Sequence, residues 1–170
     1  MSYEQAQAAV GAACMSDAVF NISTAADFGD LKAVTDRLLQ NPKDFSDLFA
    51  PFYGNRAAQR LGELFTEHLL IAADLVNAAK KGETDGIDEI RRKWYDNADE
   101  IACFLPGLNR YRDESEWQSM LYSHLEMTEE EAVLRLQGNY ETDIKTFERI
   151  EAEALQMADY MFFGIVRQCF

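Results

Sequence analysis

Leu61, Phe65, His68, Ala72, Leu75 and Ala79 follow one another at alternating steps of four and three. That spacing places all six side chains on one face of a long α-helix. Ile87, Ile90, Trp94, Asn97, Ile101 and Leu105 repeat the pattern a little further on. Between the two runs, Lys80-Lys81-Gly82-Glu83-Thr84-Asp85 supplies cations for a last helical turn and a glycine stop, with Thr84 or Asp85 as the cap of the next helix. The prediction is an antiparallel helical hairpin.

The hairpin recurs at a fixed interval, and this organises the whole chain. Leu64-Phe65-Thr66-Glu67-His68-Leu69 and Met120-Leu121-Tyr122-Ser123-His124-Leu125 lie 56 residues apart with the His-Leu pair in register. Gly82 and Gly138 keep the same interval, as do Trp94 and Ile150, Ala98 and Ala154, Ile101 and Met157, and Phe104 and Tyr160. A more diverged first copy places Leu38, Phe45 and Leu48 under Trp94, Ile101 and Phe104. Asn41, Asn97 and Glu153 share one repeat position, so a polar exception is repeated along with the apolar pattern. The expectation is a single all-α domain over residues 1–170, an antiparallel bundle of about six helices in three tandem 56-residue hairpins, with units near 1–54, 55–110 and 111–170.

Junctions are legible at Asp27-Phe28-Gly29-Asp30, at Pro51-Phe52-Tyr53-Gly54-Asn55 and at Pro106-Gly107-Leu108-Asn109. Pro42 interrupts the second arm of the first unit, and Asn41-Pro42-Lys43-Asp44 reads as the start of a separate segment capped by Asn41. Thr128-Glu129-Glu130-Glu131 has the form of a capping box, which predicts a kink or short break after Met127.

Thirty acidic residues against sixteen basic ones leave a formal charge of −14. Such a surface repels phosphate backbones and anionic membranes, so neither nucleic acid nor a membrane is expected as a partner. Cys14, Cys103 and Cys169 are odd in number and far apart, which fits a reducing cytoplasm. Ala6 to Met15 reads as helix and not as an export signal, because Glu4 stands where positive charge is required. Cys14, in apolar company, reads as an inert buried thiol. No phosphate-cradling loop or nucleophile elbow is present, so an enzymatic role is not favoured. Arg91-Arg92-Lys93 reads as solvated surface or as partners of Asp88 and Glu89.

Candidate chemistry lies in polar residues at core positions. His68 and His124, the two histidines of the chain, fall on equivalent apolar seams, and Asn97 and Glu153 fall on the seams of their partner arms. A buried polar group without a partner costs about 1–3 kcal/mol, so these residues must meet each other, water or a ligand. A structural hydrogen-bonded layer is the commoner outcome in bundles. A mononuclear metal site on His68, His124, Glu153 and Asn97 is the sharper alternative, or a haem held by both imidazoles with Trp94, Trp117, Met120 and Met157 around it. The carboxylate-rich di-iron pattern is missing, since Phe65 and Leu121 stand where its glutamates would be.

The segments Glu67 to Ala73, Arg92 to Ile101, Met120 to Leu125 and Met157-Ala158-Asp159 resemble a family of bacterial all-helical proteins without an assigned activity. Some of its members carry the label acetylglutamate kinase, although this sequence has neither the strand-rich alternation nor the nucleotide loops of such a kinase. The similarity covers most of the chain. It implies a histidine in the first helix as well, and in some members another near the place of Glu153. Here the first-helix place is Ala12 or Ala13, beside Cys14, so the implied ligand set is incomplete in this chain.

Taken together the sequence predicts a non-enzymatic binding role, for a protein partner or a second copy, with no cofactor. The alternative is a metal- or small-ligand-binding bundle that uses the buried layer.

Overall fold

The computed structural model describes residues 2–83 and 85–169. Its elements are α1 (Tyr3–Ala25), α2 (Leu31–Leu38), α3 (Asn41–Tyr53), α4 (Asn55–Lys81), α5 (Ile87–Leu108), α6 (Glu114–Leu136) and α7 (Tyr140–Cys169), with no strand among the described residues. None of these helices is long and apolar enough to cross a membrane.

The three hairpins are α1 with α2 and α3, α4 with α5, and α6 with α7. Each second arm also packs on the first arm of another unit: α3 on α4, α5 on α6, and α7 back on α1. The first arms α1, α4 and α6 touch one another pairwise. The tandem repeat therefore closes into a ring with approximate threefold symmetry. Closure covers the two apolar flanks that a linear stack of hairpins would have to cap with polar residues.

Repeat positions keep their structural roles. Gly82 and Gly138 both adopt left-handed backbone, at φ 69° and 75°, where the chain leaves a first arm. A side chain with a Cβ is strained there, which is why glycine stands at both places. Trp94 and Ile150, and Ala98 and Ala154, are buried pairwise at matching points of α5 and α7. Leu61, Leu64, Ile101, Leu105, Trp117, Leu121 and Leu125 complete the main core.

Four local expectations are corrected. A new helix does begin at Asn41, but Gln40 precedes it as the cap; the Asn41 side chain is buried, donating to Ser16 Oγ and accepting from Arg37, each at 2.7 Å. Asp85 does not cap α5, because Gly86 at φ 91° holds that position without a side-chain cap; Thr84 lies outside the described residues. Helix α5 runs through Pro106 to Leu108, so the turn into the third unit lies after Leu108 and not at Pro106. Helix α6 continues unbroken past Thr128, whose hydroxyl donates to the His124 carbonyl one turn back at 2.8 Å. Used in that way it cannot cap a new helix, and Glu131 is drawn into the core instead.

The seam between α3 and α4 depends on a close approach at Gly62. A Cβ there would lie 2.2 Å from Ser46 Oγ and 3.3 Å from the Pro42 carbonyl oxygen. Ser46 cannot swing away freely, since its hydroxyl donates to the Ala58 carbonyl at 2.8 Å. Gly62→Ala is expected to destabilise the fold by about 1–3 kcal/mol through overpacking, despite the better helix propensity of alanine. Urea denaturation read by far-ultraviolet circular dichroism measures it; an unchanged or raised midpoint would contradict this account of the seam.

Candidate functional site

Between the helices of the ring lies a partly open chamber of about 210 Å³, lined by all three hairpins. Its walls are almost wholly apolar and include Phe45, Phe49, Phe65, Trp94, Trp117 and Met157. The indole N–H groups of both tryptophans are buried without an acceptor among the described residues. A smaller chamber of about 150 Å³ adjoins it, and Asp17, Leu69, Ala72, Trp94 and Thr128 line both.

Apart from Asn41 of α3, polar groups enter the main chamber from the first arms, in two turns. Ala13, His68 and His124 form one set, and Asp17, Ala72 and Thr128 lie one turn further along α1, α4 and α6. In α1 the 56-residue register has slipped by one residue, so Ala13 lines the chamber while Ala12 is exposed. The first arm thus contributes a carboxylate in place of an imidazole.

The sequence-predicted residues assemble as two separate couples. His68 Nδ1 lies 2.7 Å from Asn97 Oδ1, and Asn97 Nδ2 donates to the Leu64 carbonyl at 3.2 Å. Because the Asn97 amide nitrogen is committed to a carbonyl, its oxygen must face the ring, and His68 Nδ1 must carry the proton. This leaves Nε2 with its lone pair as the nitrogen available to the chamber. The ring also leans on Trp94, with centroids 5.4 Å apart. In the repeat-related couple, His124 Nδ1 and Glu153 Oε2 are 3.9 Å apart, too far for a hydrogen bond, and neither atom has another partner among the described residues. Among those residues, no three His, Cys, Asp or Glu side chains come together as a group able to hold a metal ion.

Electrostatics follow from burial. Both histidines are half-buried and line the chamber, and burial lowers each pKa from 6.5 to about 4. The Asn97 contact partly opposes this at His68, and His68 itself lowers His124 further. Burial alone raises the Asp17 carboxyl to about 6. Glu131, 2% exposed, is pushed up to about 8 by burial and by the nearby Asp17 and Asp143. Its Oε2 accepts from Asn21 Nδ2 at 3.2 Å. Burial likewise raises Glu153, against the opposing pull of Ser123 and Arg149. Cys14 is a buried free thiol raised to about 12, in keeping with an inert group.

Asp17 and Glu131 were not singled out by the sequence pattern, yet a signal existed. Val10, Ala13, Cys14, Asp17 and Phe20 keep the three-four spacing along α1, and Glu131 stands seven residues beyond His124 on the seam of α6. The basic cluster is paired at the surface, Arg91 with Asp88 and Glu129, Lys93 with Glu89, and Arg92 with Asp96. Comparison with protein-family models, curated proteins and solved structures found no match for this chain.

Two outcomes are expected. The folded-state pKa of each ring lies below its unfolded value, so the stability gained by burying it neutral is complete above pH 6.5 and is lost as pH falls toward 4. The loss amounts to up to about 3 kcal/mol per ring. Nuclear magnetic resonance titration should place both imidazole midpoints near 4, and a midpoint at 6.5 would contradict the burial described. Asn97→Ala is expected to cost about 1–3 kcal/mol by orphaning the His68 N–H. Nitrogen-15 shifts should at the same time show His68 losing its fixed tautomer.

Proposed function

We propose that the protein binds a small, predominantly apolar molecule in the axial chamber, with a hydrogen-bond donor of that molecule meeting His68 Nε2. The observation that carries this reading is the locked tautomer of His68 inside apolar walls. A lone pair held toward an apolar space, with the other ring nitrogen tied to an oriented amide, suits recognition of a hydroxyl or N–H group. Anionic ligands are disfavoured, because no lysine or arginine lines the chamber and the chain carries a charge of −14.

The reading takes up the small-ligand alternative in preference to a protein partner. What supports that preference is the direction of the polar seam, which faces the chamber between the helices and not the outer surface of the bundle. That no three ligating side chains come together among the described residues likewise favours an organic ligand over a metal ion.

Naphthylethanol, an apolar hydroxyl compound, serves as the probe, with Trp94 and Trp117 as fluorescent reporters on the chamber wall. Saturable binding to the full chain is expected, and Ala72→Leu, which fills the space where both chambers meet, should weaken it about tenfold or more while helicity is retained. Binding that ignores the Ala72 substitution would refute the assignment. So would stoichiometric iron, zinc or manganese, or a Soret band, in protein purified without a histidine tag and lost when both histidines become alanine.

A further inference from the structure

We propose that the natural ligand of this chamber is an apolar amine, whose ammonium group is held by Asp17 where the two chambers join. This deepens the reading above and rests on it. Asp17, on α1, is half-buried and lines both chambers. Among the described residues no hydrogen-bond donor or cation acts on its carboxyl; burial is the single influence on it.

A carboxylate removed from water without a partner is costly, and native interiors pair such groups. Two buried acids of this protein, Asp143 and Glu131, follow that rule. Asp143 is paired with Arg135, and Glu131 accepts from Asn21. Asp17 and Glu153 depart from it among the described residues, and of the two it is Asp17 that lines a space large enough to admit a ligand. An ammonium ion would supply both the missing charge and the missing N–H donors.

The surroundings select a cation with apolar substituents. The two neutral imidazoles offer acceptors to further N–H groups of the ligand. Trp94 lines both chambers and Trp117 the main one, giving aromatic faces of the kind that attract ammonium groups. Arg91, the sole cation on the smaller chamber's wall among the described residues, is already bound by both oxygens of Glu129. With apolar space on either side of Asp17, the ligand's hydrocarbon can extend both ways from the nitrogen.

Naphthylethylamine and naphthylethanol, nearly equal in shape, are titrated against the full chain at neutral pH, with tryptophan fluorescence and calorimetry as readouts. The amine is expected to bind at least about tenfold more tightly than the alcohol. Asp17→Asn, close in size, should bring the amine down to the alcohol's affinity and leave the alcohol unchanged. It should also raise the thermal midpoint of the free protein, because an unpartnered buried charge has gone. Equal binding of the two probes, or a preference for the amine that survives Asp17→Asn, overturns this inference while leaving the chamber as a ligand site. Failure of both probes to bind overturns the chamber reading and this inference with it.

Discussion

Packing of α7 against α1 is the contact on which the remainder depends. Three hairpins in a line would leave an apolar flank at each end, and every second arm needs two first arms to cover it. Joining the last second arm to the first first arm satisfies that demand for all units at once. The same closure puts three first arms around an axis, and with them every residue that the repeat places on their inward seam. Residues more than a hundred positions apart, such as Asp17 and His124, thereby come to line one space.

Burial on that axis sets the chemistry of the titratable groups. It makes the imidazoles neutral across the physiological range and favours protonation of the carboxyls, so the two kinds of group pull the pH dependence of stability in opposite directions. Lowering the pH charges the histidines at the expense of the fold. Raising it ionises Glu131 and Asp17, whose raised values favour the fold most at low pH and progressively less as they are exceeded. An interior of this kind keeps hydrogen-bond acceptors and a carboxylate in apolar surroundings, which is what selective binding of an amphiphilic molecule needs.

Divergence among the three units is as informative as their similarity. Where the second unit has a satisfied His68–Asn97 couple, the third has an unsatisfied His124–Glu153 couple, and the first has no ring and pairs Asn41 with Ser16. Symmetric folding with asymmetric side chains turns a structural layer into a chamber with distinct ends. In the first unit Ala13 stands at the place that His68 and His124 hold in the other two, and the carboxylate of Asp17 lies one turn away.

The sequence by itself determined the helical class, the tandem hairpins, the glycine stops at Gly82 and Gly138, and the inward placement of His68, His124, Asn97 and Glu153. These follow from periodicity and local backbone chemistry, which are properties of neighbouring residues. It misjudged Asn41 and Thr128, whose polar side chains found partners in Ser16 and in the preceding turn of α6 where a local rule assigned them to caps. Only the tertiary structure decided that the ring closes, that its axis is hollow, and that Asp17 faces the hollow unpaired. Those outcomes depend on which surfaces meet between distant segments, and no interval along the chain encodes the width left between six rods once they have closed.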